Sequence, residues 1–254
     1  MAAGCLPIQP PTVWRMADAA NGLTLHRHDI VWLEARSDDG IGLDPADEDV
    51  RSRVREWIAA GRPFVVRQQG AQVLRTGPVA LGLPLPLDAN KRRIALTAHR
   101  RMIRRVSRAP ALSDVIPHVP WHWRPPLALL RQRAEAIGIA FRVFGSAAWQ
   151  TLTGLAYVTD ASDIDLLWRP ATPTQLADGV AILDAWQRDS GIPADGEIVF
   201  GDDDAVAWRE WRERGDHAHL LVKRLDGPVM RAPCALLQML GQSAEADRVC
   251  GAPA

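Results

Sequence analysis

The sequence predicts an α+β protein built as two domains. Three observations predict it. Short apolar runs bounded by turn residues recur at 29–33, 64–67, 79–83 and 93–96, which is strand patterning. Residues 45–60 instead place Val50, Val54, Trp57 and Ile58 on one helical face. From residue 127 onward, helical and strand patterns alternate around a Gly-Ser turn and an Asp-x-Asp pair.

Taken in order, residues 1–25 form a Pro- and Ala-rich extension, expected to be poorly ordered. The helix at 45–60 has Asp44 as cap, Pro45 in its first turn and Gly61 at its end. Prolines 117, 120, 125 and 126 then cluster within ten residues. The domain boundary is set there, giving a substrate- or partner-binding domain at 26–120 and a second domain at 121–254. A helix at 127–137 is ended by Gly138. The run Phe141-Arg142-Val143-Phe144-Gly145-Ser146 reads as a strand, a turn and the start of a helix. An Asp-x-Asp strand, a helix at 174–190, a strand at 197–200 and a last strand near 218–223 complete the chain.

Composition excludes several classes. Formal net charge is zero, which argues against a general nucleic-acid binder. Three scattered cysteines, Cys5, Cys234 and Cys250, are too few for a disulfide framework or a zinc site. No run approaches the roughly 20 apolar residues of a membrane span, and residues 1–11 lack a signal-peptide pattern. The expectation is a soluble, cytoplasmic protein.

The chemistry concentrates in Ser162-Asp163-Ile164-Asp165-Leu166-Leu167-Trp168. Side chains alternate along a strand, so Asp163 and Asp165 share a face. Two carboxylates so close repel each other unless a cation sits between them. Magnesium suits such a site, because it takes carboxylate and phosphate oxygens together. Upstream, Gly145 permits close backbone approach, and Ser146 at a helix start offers a hydroxyl and free N–H groups. That is a phosphate-binding arrangement.

The order strand, Gly-Ser, helix, Asp-x-Asp strand resembles the polymerase-beta-type nucleotidyltransferase superfamily. The resemblance implies an N-terminal mixed α/β domain followed by a polymerase-beta-like catalytic domain, a mixed sheet with flanking helices. It also implies two magnesium ions on Asp163, Asp165 and a third carboxylate. Glu197 enters an apolar run and is the preferred third ligand, with Asp195 as its rival. Gly145 and Ser146 would cradle a triphosphate. Sixteen residues separate Ser146 from Asp163, more than is usual in the superfamily.

The longer run Gly145-Ser146-Ala147-Ala148-Trp149-Gln150-Thr151-Leu152-Thr153-Gly154-Leu155-Ala156-Tyr157 resembles the malonate decarboxylase holo-acyl-carrier-protein synthases, the phosphoribosyl-dephospho-CoA transferases. Arg27-His28-Asp29-Ile30-Val31-Trp32-Leu33, Gly61-Arg62-Pro63-Phe64, Leu81-Gly82-Leu83-Pro84 and Lys91-Arg92-Arg93-Ile94 resemble the same family. The resemblance implies transfer of phosphoribosyl-dephospho-CoA from triphosphoribosyl-dephospho-CoA to a serine of the apo acyl-carrier subunit of malonate decarboxylase, with release of pyrophosphate. The alternatives keep the fold and change the acceptor: a citrate lyase carrier, or adenylylation of a protein or small molecule.

Residues 91–108 carry Lys91, Arg92, Arg93, Arg100, Arg101, Arg104, Arg105 and Arg108. Two functional readings stand beside a solvated face: phosphate binding, for which Lys91, Arg92 and Arg93 are the candidates, and docking of an acidic carrier. Lys223, on the last strand, either neutralises pyrophosphate or lies at the surface. Trp121 and Trp123 either stack on adenine or pack between domains. His28 and His122 read as structural, since neither has a visible catalytic partner.

Overall fold

The computed structural model describes residues 15–16, 24–34, 40–43, 48–70, 77–89, 92–215 and 219–240. Two sheets, each with its own core, divide most of the chain. The first half contributes β1 (Arg15–Met16), β2 (Ile30–Leu33), β3 (Ile41–Leu43), α1 (Glu48–Ala59), β4 (Phe64–Val66), β5 (Val79–Pro84), β6 (Arg93–Ala98) and β7 (Ile103–Ser107). Its seven strands form one sheet in the order β1-β7-β2-β4-β5-β6-β3, with every pairing antiparallel.

The helix predicted at 45–60 is observed as α1, and the four residues read as its apolar face are the ones it buries. They pack with Val31, Phe64 and Leu81 of the sheet. Trp57 also donates its ring N–H to the Pro63 carbonyl at 2.8 Å, which fixes the chain's return into β4. The proposed caps Asp44 and Pro45 lie outside the described residues. So does most of the N-terminal extension, and Cys5 and Cys250 with it; Cys234 is a free, exposed thiol.

The second half contains α2 (Leu112–Val115), α3 (Arg124–Ala136), β8 (Arg142–Phe144), α4 (Gly145–Thr153), β9 (Ile164–Trp168), α5 (Pro173–Ser190), β10 (Ala194–Phe200), β11 (Asp204–Ala207), α6 (Trp208–Glu213), β12 (Leu220–Val222), β13 (Val229–Arg231) and α7 (Pro233–Gln238). A four-stranded mixed sheet runs β11-β10-β9-β8. Strands β9 and β10 are parallel and joined through α5; the outer pairs are antiparallel. Thr172 caps α5 by accepting from the Gln175 N–H, and Gly191 ends it in the left-handed region.

The proline cluster is not an open linker. Short helical turns fill residues 112–123, and Pro125 and Pro126 sit in the first turn of α3, where a missing N–H costs nothing. Trp123 is buried in the second core, while Trp121 is 79% exposed. The buried residues of the two cores divide between Ile103 and Leu112, so we place the division between domains near residue 110 rather than 120.

Two buried aromatic side chains of the second half cross that division. Trp149 of α4 and Tyr157 beyond it belong to the first core, packed with α1 and β5. Tyr157 donates its hydroxyl to the Pro84 carbonyl at 2.9 Å, and Leu87 N–H bonds the Ala156 carbonyl at 3.0 Å. Gln150 shapes this insert: its side-chain oxygen accepts from the Tyr157 and Val158 amides, and its amide donates to His118. The long motif around Trp149 is therefore an inter-domain plug.

Candidate active site

Strand β9 alternates as a half-buried strand should. Ile164, Leu166 and Trp168 enter the core, which leaves Asp165 on the opposite face. Asp163 immediately precedes the strand. Parallel pairing then sets Asp195 of β10 directly beside Asp165. Carboxylate oxygens of Asp163, Asp165 and Asp195 all lie within 4.8 Å of one another. Burial pushes the Asp165 carboxyl up to about 7, and the charges of Asp163 and Asp195 add to it; Arg93 pulls the other way. Such crowding is what a bound cation would relieve, and three carboxylate oxygens are the donor set a hard divalent ion takes.

Gly145 has a φ of +65°, and a Cβ there would stand 1.8 Å from Asp165 Oδ2. The glycine is thus required by Asp165, whose carboxylate occupies the space a side chain would fill. Phe144 pairs with Asp165 across β8 and β9, so α4 starts at the carboxylate cluster. Ser146 lies half-buried in its first turn. The structure brings Gly145 and Ser146 together with the Asp pair, as the sequence order implied.

Glu197 goes elsewhere. In a regular strand it would share a face with Asp195, two residues earlier. Gly196 between them has a φ of +143°, and a Cβ there would meet the Leu166 carbonyl oxygen at 2.0 Å. The two acids nevertheless keep different company: Asp195 is exposed among the carboxylates, and Glu197 is buried among bases. Glu197 Oε1 accepts from Lys223 Nζ at 2.9 Å and Arg27 Nη2 at 3.1 Å, and Oε2 accepts from His28 Nε2 at 3.0 Å. Burial alone would raise its pKa. The His28 hydrogen bond and the Arg27 and Lys223 charges outweigh burial and hold Glu197 well below the usual carboxylate range. It still contributes a small repulsion at Asp165.

Arg27 and His28 reach Glu197 from the first domain, on a tight turn before β2. Asp29 shapes the turn: its side chain accepts from the His26 amide at 2.9 Å and pairs with Arg108 at 3.3 Å. Burial raises the Asp29 pKa, against Arg108. His28 has a φ of +65° and its ring lies 4.2 Å from that of Phe144. The role of His28 was missed in the sequence because its partner lies 169 residues away. The family-like run beginning Arg27-His28-Asp29 was the available signal.

The basic segment is not one surface. The charge of Arg93 favours the ionised form of Asp165. Arg105 stacks on Trp32, 3.6 Å from the ring centroid, and burial lowers its pKa to about 10. Arg108 serves Asp29. Arg92 is exposed, and Lys91 lies outside the described residues. Lys223 follows β12, bridged to Ala205, and is committed to Glu197. Beside this hub a cleft of about 320 Å³ opens, lined by Arg27, His28, Val65, Arg67, Lys223 and Pro228 among others.

These features define an α/β protein with a carboxylate-rich polar site where its two domains meet. Two family profiles together match most of the chain: the phosphoribosyl-dephospho-CoA transferase MdcG N-terminal domain over residues 26–109 and its C-terminal domain over 111–233. A phosphoribosyl-dephospho-CoA transferase of Xanthomonas campestris pv. campestris (strain 8004) is 46% identical over 202 residues, 79% of this chain and 91% of that one. Proteins of the same name from Xanthomonas axonopodis pv. citri and Bradyrhizobium diazoefficiens are 40% and 36% identical; they cover 78% and 80% of this chain and 89% and 88% of their own lengths. No solved structure matches. The chain belongs to the phosphoribosyl-dephospho-CoA transferase family, and is a transferase.

Proposed function

We propose that this protein transfers phosphoribosyl-dephospho-CoA from its 5′-triphosphate precursor to a serine of the apo acyl-carrier subunit of malonate decarboxylase. The serine Oγ–phosphorus bond forms at the α-phosphorus, and the bond to departing pyrophosphate breaks. The catalytic domain is read as polymerase-beta-like. The observation that carries the proposal is the cluster of Asp163, Asp165 and Asp195 beside the Gly145-Ser146 turn.

Asp163, Asp165 and Asp195 are the residues that would hold magnesium, with Asp195 taking the place first given to Glu197. Two bound magnesium ions would supply charge neutralisation on the phosphates and a lowered pKa for the attacking hydroxyl. The chain itself contributes positioning, which carries much of phosphoryl transfer. Gly145 leaves room for Asp165, Ser146 offers a hydroxyl and an amide to the triphosphate, and Arg93 adds positive charge at the cluster's edge. Lys223 and Glu197 hold the floor of the site rather than the pyrophosphate. Among the described residues no helix is long and apolar enough to cross a membrane.

The test is intact-protein mass spectrometry of the apo carrier subunit incubated with this protein, magnesium and triphosphoribosyl-dephospho-CoA. The expected result is a mass gain of one phosphoribosyl-dephospho-CoA on one serine. No gain, with a folded carrier and intact donor, would remove the proposal.

A further inference from the structure

We infer that the cleft between Arg67 and Lys223 binds the diphosphate-pantetheine arm of the donor's dephospho-CoA portion, apart from the carboxylate cluster. The inference rests on the transferase reading above and adds a second subsite to it. Three carboxylates suit a metal-bound triphosphate and repel a bare diphosphate. The diphosphate that joins adenosine to pantetheine therefore needs cations of its own.

The cleft supplies them in excess. Arg27 and Lys223 face a single buried carboxylate, Glu197. Arg67 adds a third positive charge and has no ion pair among the described residues. Arg27 Nη1 is buried with no hydrogen-bond partner, a donor lacking an acceptor. Val65, Val66 and Pro228 line the same space and give the pantetheine's apolar portion a wall. A cleft of about 320 Å³ is of small-molecule size.

Arg67 is held in place. A Cβ on Gly82 would lie 3.1 and 3.2 Å from Arg67 Cδ and Cγ, so the arginine stem crosses β5 where there is no side chain. Behind it, Gln69 is buried. Its side-chain amide donates to the carbonyls of Arg67 and Ala80 at 2.7 and 2.9 Å, and its oxygen accepts from the Ala80 amide at 2.7 Å. The Gln69 backbone N–H bonds the Leu225 carbonyl at 2.7 Å, which fixes this wall to the Lys223 wall. These bonds fix the backbone that carries Arg67 at the cleft's edge. The cleft also adjoins the reacting centre, since His28 lines it and its ring packs, tilted, against Phe144, the strand partner of Asp165.

The experiment measures binding of 3′-dephospho-CoA to the full chain by calorimetry in EDTA, and donor and carrier KM in the transfer assay. Wild type and Asp163→Asn should bind dephospho-CoA without metal. Arg67→Gln should weaken that binding about tenfold or more, the scale of a lost charge-assisted contact. It should raise donor KM similarly, with kcat within about twofold and carrier KM unchanged. Arg67 is exposed, and thermal unfolding of Arg67→Gln should match wild type. Equal dephospho-CoA binding by wild type and Arg67→Gln overturns the inference, as does a rise in carrier KM alone, which would make the cleft a docking point for the acidic carrier. Transfer failing in wild type while Arg67-dependent binding persists would sink the transferase reading and leave the subsite.

Discussion

Replacing Asp165 with asparagine should stabilise the metal-free protein in alkali while nearly abolishing transfer. The carboxyl moves from an ordinary 3.8 to about 7, driven by burial and then by Asp163 and Asp195. A group whose folded pKa is raised stabilises the fold while protonated, and loses that contribution as pH rises from its unfolded value through its folded one. At roughly 1.4 kcal/mol per pH unit, the ionised cluster costs at most about 4 kcal/mol above pH 8. Because three acids titrate together, about 2–4 kcal/mol is the working range. Urea unfolding of wild type and Asp165→Asn at pH 5 and pH 8, each in EDTA and in excess magnesium, measures it. In EDTA the variant's advantage should be only about 1–1.5 kcal/mol at pH 5, which lies little above the unfolded value, and should grow to about 2–4 kcal/mol at pH 8. Magnesium should erase it by stabilising the wild type. An advantage that does not grow with pH, or equal magnesium stabilisation of both proteins, would refute the argument from crowded charge.

Gly145→Ala should cut transfer at least about a hundredfold and destabilise by roughly 1–3 kcal/mol, because the new methyl collides with Asp165 and φ is positive; steady-state turnover and urea unfolding check both. Glu197→Gln should destabilise by about 3–5 kcal/mol at neutral pH, since it leaves Arg27 and Lys223 without their buried counter-charge. Glu197 has a depressed pKa, so its stabilisation is present above the unfolded value and is lost as pH falls toward the folded one. Unfolding curves of wild type and Glu197→Gln should therefore converge in acid; a gap that persists at the lowest pH would count against the ion-pair account. Tyr157→Phe should cost about 1 kcal/mol, one hydrogen bond, and Trp149→Ala about 3–5 kcal/mol, both read by chemical denaturation. Neutral effects at both positions would remove the plug.

What could be read from the sequence was local. Asp163 and Asp165 are two apart on one strand, and strand geometry alone puts them on one face. Gly145 and Ser146 stand at a strand-to-helix turn that turn chemistry identifies. The face of α1 follows from spacing. The choice between Asp195 and Glu197 could not be read, because period two puts both on one side, and only their neighbours distinguish them: two acids for Asp195, and Arg27, His28 and Lys223 for Glu197. The short helical turns at the proline cluster were hidden for a different reason: proline breaks a helix only in its interior, and Pro125 and Pro126 stand in a first turn. The partners of Glu197 were hidden by distance, since Arg27 lies 170 residues before it in the chain.

The same distance explains how the site is held. Each domain places part of itself in the other. The turn carrying Arg27 and His28 leaves the first domain to meet Glu197 on β10, one residue past the glycine that follows Asp195. In return, Trp149 and Tyr157 leave the second domain to fill the core beneath α1 and β5. Trp149 sits on α4, the helix whose first residue makes room for Asp165, so the plug and the carboxylate cluster share one rigid element. A reaction that depends on positioning loses rate steeply when groups shift by about 1 Å. Hydrogen bonds to a buried carboxylate on one side and aromatic packing on the other resist sliding in different directions. The long motif thus works at both ends: Gly145 makes room for Asp165 at the acidic site, while Trp149 and Tyr157 anchor the same segment in the first domain, whose Arg27 and His28 meet Glu197.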